Sequence, residues 1–436
     1  DNSGALNVDQ GAKQDDNHNM VLDMSGLNTF TMNGPSQGFI AVGGGGYGGS
    51  DRTRAAGTLY LARTNLIYMK YNFRIGDNAT ANSPNLCAVY LGQTNSITVG
   101  TGADVSTGFN GNTNLLAFAP GLIHPAAYFR STLNPPRVKT WIIANAGNLP
   151  SVGTNDFTGG VIDVMADDVR IGRATSGANP ALGVLTFDGG TFDANTIEDG
   201  WQTVSAGGTG VGIINVNSNA VSGMYGTLVV NSSLTLGDVS GTLTAGSAGT
   251  LNINGGMVLA SQIAAGGGES TVAMNRGTLV ATNGVGSPGA PVTTFSAANA
   301  TVRVRLDGNA IVTNIVTANL VASGASVIVV DSMANVNGLT TFPIISYTGT
   351  APADGTFVKG DLPPGFAANL VNNTAQKRID LVVAPSASVT PHISTFSLLG
   401  TNLMIGGTNG FPGGQFYVLG STSLARPLNQ WLPMST

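Results

Sequence analysis

Short alternating runs dominate the hydrophobic pattern of this chain. Leu251 and Ile253 flank Asn252, and Leu228 and Val230 share one parity. A period of two places such residues on one face of a strand and their neighbours on the other. Gly-Gly or Asn-Gly follows many of these runs and bends the chain onward. Leu59 to Ile67 (Leu-Tyr-Leu-Ala-Arg-Thr-Asn-Leu-Ile) returns as Val89 to Ile97 (Val-Tyr-Leu-Gly-Gln-Thr-Asn-Ser-Ile), offset by 30 residues. A second echo, Gly-Thr-Leu, starts at Gly57, Gly226, Gly241, Gly249 and Gly277, with Gly183-Val184-Leu185 as a variant. Its spacing is irregular, unlike that of propellers or leucine-rich repeats.

A turn after nearly every strand, and a unit recurring in one sense, favour a coil over an antiparallel sandwich built from hairpins. The predicted fold is all-β, a parallel β-helix whose inward stacks include Leu185, Leu228, Val230, Leu251, Ile253 and Leu279. At ~22 residues per coil, residues 50–385 make about 15 coils. With ~4.8 Å between strands, that is a rod of roughly 70 Å.

Four segments are expected. Residues 1–49 read as a strand-like extension, Met20 to Met32, with a glycine-rich hinge from Gly43 to Gly49. Residues 50–383 form the β-helix, 384–391 a Ser/Pro/Val-rich linker, and 392–436 a small C-terminal β module.

Composition sharpens this picture. The chain has 436 residues and 62 glycines, about one in seven against a usual ~7%. Charged residues are 9% and hydrophobic residues 42%, too apolar for a disordered tract. A net charge of −5 without a basic cluster argues against a nucleic-acid partner. Cys87 is the only cysteine, which excludes an internal disulfide and suits a small buried residue. No apolar run approaches the ~18–20 residues of a membrane span. The polar start at Asp1 reads as a mature secreted chain.

Candidate chemistry is sparse. Glycan-cleaving β-helices need paired carboxylates, or a carboxylate-bound metal with a basic residue. The best cluster is Asp163, Asp167, Asp168, Arg170 and Arg173, followed by Asp188, Asp193, Glu198 and Asp199. In a regular strand Asp168 falls on the opposite side from Asp163 and Asp167. His18, His124 and His392 are too scattered for a metal site. Gly34-Pro-Ser36-Gln-Gly38 matches a nucleophile-elbow string without the helix that motif requires. Gly43 to Gly48 matches the dinucleotide fingerprint only in composition. Tyr68, Tyr71, Phe73 and Tyr90 are either buried rungs or a sugar-stacking platform. No catalytic residue, cofactor or metal is expected.

Ile171-Gly172-Arg173, Gly183-Val-Leu-Thr-Phe-Asp-Gly-Gly190 and Gly249-Thr-Leu-Asn-Ile-Asn-Gly-Gly256 resemble the autotransporter-associated β-strand repeats of large secreted bacterial proteins. So do Ile344 to Gly349, Leu362-Pro-Pro-Gly365 and Ile379 to Val383. The resemblance covers residues 55–385 and implies an exported, right-handed parallel β-helix without implying an activity. The tail from Gly407 to Leu419, with Trp431, resembles a small β module at the C-termini of similar proteins, where further strands normally follow.

These readings converge on a structural protein, secreted or at the cell surface, that polymerises head to tail with itself. A surface polysaccharide is the second candidate partner, as for an adhesin, and a polysaccharide-active enzyme is the rival reading. The expected assembly residues are Met20, Val21, Leu22, Met24, Phe30 and Met32 at one end, and Phe416, Tyr417, Val418 and Trp431 at the other. Unpaired strand edges there invite addition of another chain.

Overall fold

The computed structural model describes residues 4–8, 19–44, 56–77, 86–109, 113–147, 149–175, 179–203, 208–240, 246–386, 392–399, 402–408, 419–420 and 432–433. Among them every regular element is a strand. As far as Ile263–Ala265 each turn of the chain about the axis lays down three strands; later turns keep two, with single bridges at Val285 and Ile315 in place of the third. Up to Thr340–Tyr347 successive turns pair in parallel. This is a parallel β-solenoid.

Sheet A starts at Asn19–Asp23 and continues through Ala56–Tyr60, Leu86–Leu91 and Thr113–Phe118 as far as Thr340–Tyr347. Sheet B starts at Thr29–Gly34 and continues through Thr64–Met69 and Thr94–Val99 to Phe357–Lys359. Sheet C starts at Ala5–Val8 and passes through Phe39–Gly44, Phe73–Asp77, Asp104–Phe109 and Val138–Ala146. Three long strands, Val161–Ala174, Gly190–Gln202 and Gly226–Val239, serve sheet B with their first half and sheet C with their second.

Alternation decides what the coil buries. Leu185, Ile214, Leu251, Val272 and Phe295 stack on successive rungs of sheet A. Leu228, Val258, Leu279 and Val302 do the same on sheet B. All are buried, as are Val230 and Ile253, so the inward set read from the sequence is the core. One apolar cluster runs from Val8 to Val383.

The Gly-x-Leu unit has a steric cause. Gly153, Gly183, Gly212 and Gly249 are register partners on sheet A. Each lies against the backbone of the preceding sheet C strand. A Cβ on Gly183 would stand 2.4 Å from Gly172 N and 2.4 Å from Ile143 O. Gly172 itself has φ +64°, which only glycine adopts freely. Gly226 and Gly277 carry the same tripeptide at a different corner, against Phe187 and Ile253.

Three expectations change. Ala5–Val8, Asn19–Asp23 and Thr29–Gly34 are not an extension: they pair with Phe39–Gly44, Ala56–Tyr60 and Thr64–Met69 as the first coil. Their alternation matches the pleat of the coils that follow, so pairing buries Met32 and Val42. Gly43 and Gly44 end a strand, and residues 45–49 of the expected hinge lie outside the described residues. The coil is also longer and less regular than 22 residues. Register offsets run from 21, at Leu251–Val272, to 39, at Asn114–Gly153, because corner segments vary in length. Sheet B accordingly has twelve rungs rather than fifteen. Finally, Phe366–Asn373 and Arg378–Pro385 form an antiparallel hairpin that closes sheet A. Beyond it, His392–Leu399 pairs with Asn402–Thr408.

Candidate functional site

The outer face of sheet C carries four of the charged residues that sequence reading singled out, Asp168, Arg170, Arg173 and Glu198. Strand Val161–Ala174 turns a corner at Asp167 and Asp168, both of which point outward. The strand is therefore not regular there, and Asp168 shares the outer surface with Asp163 and Asp167. In-register pairing then builds rows along the solenoid axis. One row is Asp104, Thr140, Asp168 and Thr196. The next is Arg74, Ser106, Ile142, Arg170, Glu198 and Thr235. A third is Phe109, Asn145, Arg173, Trp201 and Asp238.

Most of the carboxylates already have partners. Asp163 pairs with Arg130 at 2.6 Å, Asp167 with Lys139 at 2.9 Å, and Asp193 with Arg137 at 2.8 Å. Arg170 lies between Asp168 at 2.6 Å and Glu198 at 3.9 Å. Asp188 accepts from the Gly159 N–H and the Asn219 amide. The hydrogen bonds from Lys139 and Asn195 hold Asp167 below the usual carboxylate range. Burial instead raises Glu198, Asp104 and Asp238. Burial and then the charge of Arg170 lower Arg173 to about 10.

Arg173 stands apart. Its guanidinium lies 4.0 Å from the centroid of the Trp201 ring, and Trp201 is steadied by a 3.0 Å hydrogen bond from its Nε1 to Ser240 Oγ. Arg173 Nε is buried without a partner, and among the described residues no carboxylate comes within ion-pair distance of it. Asp199, grouped with these acids in sequence, points the other way. It replaces an apolar residue in the interior stack of Ile143, Ile171 and Leu236 and is wholly buried.

Sequence reading missed Trp201, Asn145, Asp104 and Asp238. A signal existed: Ile171-Gly172-Arg173, Asp199-Gly200-Trp201 and Leu236-Gly237-Asp238 share a glycine with φ of +64°, +74° and +64°. Aligning those glycines places the three outward residues in one row.

The remaining candidates scatter. Phe73 is a buried rung, whereas Tyr90 stacks on Tyr60 outside sheet A at 4.7 Å and 12°, so the two rings cover each other. Tyr68 and Tyr71 are half-buried. Ser36 lies in a tight turn between strands, with Gly38 N donating to Gly34 O at 2.8 Å. His124 is a turn residue with φ +47°, His392 opens a strand, and His18 lies outside the described residues. Among the described residues no group of His, Cys, Asp and Glu could hold a metal ion, and no helix is long and apolar enough to cross a membrane.

Of the assembly residues, Met20 and Val21 are 46% and 56% exposed on the first strand of sheet A. Leu22, Met24 and Phe30 are half-buried against the core and Met32 is buried. Phe416, Tyr417, Val418 and Trp431 lie outside the described residues. Comparison with protein-family models, curated proteins and solved structures finds no match to this chain.

Proposed function

We propose that the chain is a structural subunit of an extracellular surface, and that copies join end to end into a filament. The observation that carries this reading is the state of sheet A at its two ends. Its first strand, Asn19–Asp23, and its last, Phe366–Asn373, each have one neighbour among the described residues. Neither contains the lysine or proline that commonly protects an edge strand. Both leave apolar side chains exposed: Met20 and Val21 on the first, and Val371, at 42% exposure, on the last. Addition of Asn19–Asp23 of one copy beside Phe366–Asn373 of the next continues the sheet. That contact is heterologous, so it propagates instead of closing. Because the first strand is already part of a coil, the joint is edge-to-edge addition and needs no exchanged segment.

A non-catalytic role is also supported by the acids that sequence reading grouped together, which are spread along rows, with Asp163, Asp167, Asp168 and Asp193 each held by a basic partner. The resemblance to autotransporter-associated repeats supports export. Electron microscopy and light scattering test the reading. The full chain should form filaments that lengthen with concentration, and Val21→Lys or Val371→Lys should stop them. A monodisperse full-length monomer at high concentration would refute it.

A further inference from the structure

We propose that the outer face of sheet C around Arg173 and Trp201 binds a neutral, linear polysaccharide. The site lies on the side of the solenoid, away from the strand edges that join copies, so it stands or falls independently of filament formation.

The argument begins with unpaired buried polar atoms. Arg173 Nε has no partner, and one rung earlier Asn145, only 4% exposed, has an unpaired Oδ1. In the neighbouring row Arg170 Nε and Glu198 Oε2 are also unpaired and 3.9 Å apart, too far for a hydrogen bond. Buried polar groups normally find partners. Four orphans on adjoining rungs of one face, with the Ser106 hydroxyl a fifth in the row of Arg170, therefore mark a place where a ligand supplies them.

The chemistry of the orphans selects the ligand. Of the four, two are donors on arginines and two are acceptors, on an amide and a carboxylate. An anion offers only acceptors and would leave Asn145 Oδ1 and Glu198 Oε2 unsatisfied. A hydroxyl both donates and accepts, so a polyhydroxylated chain satisfies all four. Charge points the same way: Arg74, Arg170 and Arg173 face Asp104, Asp168, Glu198 and Asp238, nearly balanced and without the cation excess a polyanion requires. Trp201 adds an apolar surface with a polar edge, suited to a sugar ring.

Periodicity selects a linear form. Rungs about 4.8 Å apart repeat similar groups along the axis. A second arginine–aromatic pair, Arg74 over Phe109 at 5.6 Å, stands on the same face. Phe109 and Trp201 are three rungs apart in one row, about 14 Å. Both are within reach of one extended oligosaccharide. The stacked Tyr60–Tyr90 pair on sheet A carries no comparable set of orphans.

Affinity electrophoresis of the full chain tests this, in gels containing a soluble β-glucan, a galactomannan, a xylan or polygalacturonate. At least one neutral polymer should retard the protein. Trp201→Ala and Arg173→Gln should each weaken that retardation at least about tenfold, while Tyr60→Ala leaves it unchanged. Arg173→Lys, which keeps the charge and loses the planar fork, should behave as Arg173→Gln does. Far-UV circular dichroism verifies that each variant is folded, and Arg173→Gln alone decides the matter if Trp201→Ala is not. Three results would overturn the proposal: retardation by none of the neutral polymers, retardation by polygalacturonate alone, or unchanged retardation of the folded variants.

Discussion

Asp199 occupies an interior position where adjoining coils place Ile171 and Leu236. Burial holds its carboxyl well above the usual range, against a smaller opposing pull from the Thr250 backbone. The folded chain therefore keeps this proton at pH values where the unfolded chain releases it. Above about pH 4, the unfolded aspartate value, the folded state binds more protons, so stability falls as pH rises. Relative to Asp199→Asn, which cannot titrate, the native chain should lose up to about 1.4 kcal/mol per pH unit from pH 4 upward. Urea unfolding at pH 4 to 8 measures this; parallel profiles for the two proteins would exclude it. Cys87 is a quieter case. It faces Asn114, which faces Gly153 on the next rung, and is buried. Its small size suits a crowded corner.

At the scale of elements, corners do the specifying. Asn95 closes one: its Oδ1 accepts from Gly92 N at 2.9 Å and from Asn65 Nδ2 at 2.8 Å, and its Nδ2 donates to Gly92 O and Ala126 O. Thr64-Asn65 and Thr94-Asn95 are register partners one coil apart, which is why that segment echoes at 30 residues. The other corner device is glycine against backbone. Gly183→Ala pushes a methyl into Gly172 N and Ile143 O and should cost about 1–3 kcal/mol. Gly26, whose added Cβ would meet nothing within 4 Å, should tolerate the same change within about 0.5 kcal/mol. Denaturant midpoints of the two variants compare them directly, and equal losses would remove the steric account of the Gly-x-Leu unit.

For the whole molecule, the 14-stranded sheet A runs from the first coil to the closing hairpin. If copies continue that sheet, each subunit advances the filament by fourteen strand spacings, roughly 65–70 Å. Electron micrographs of aligned filaments should show that axial repeat together with a ~4.8 Å strand spacing. A much shorter repeat would mean that copies pack side by side.

Strand identity, the inward stacks and the glycine corners were legible in the sequence because each is local. Alternation over a few residues determines which side chains face inward, and Leu185, Leu251 and Leu279 lie where that rule puts them. Local pattern carries no measure of corner length, and corner length sets register. Offsets of 28 and 37 residues align Arg170 with Glu198 and then Thr235, so only the closed coil brings the charged rows together. A left-handed glycine also resets parity: Gly200 follows the inward Asp199 and returns Trp201 to the outside. The sequence by itself determined a glycine-cornered β-solenoid. Tertiary pairing decided that one of its acids lies in the core and that Asn145, Arg173 and Trp201 share a face, because contacts between coils depend on chain segments about thirty residues apart.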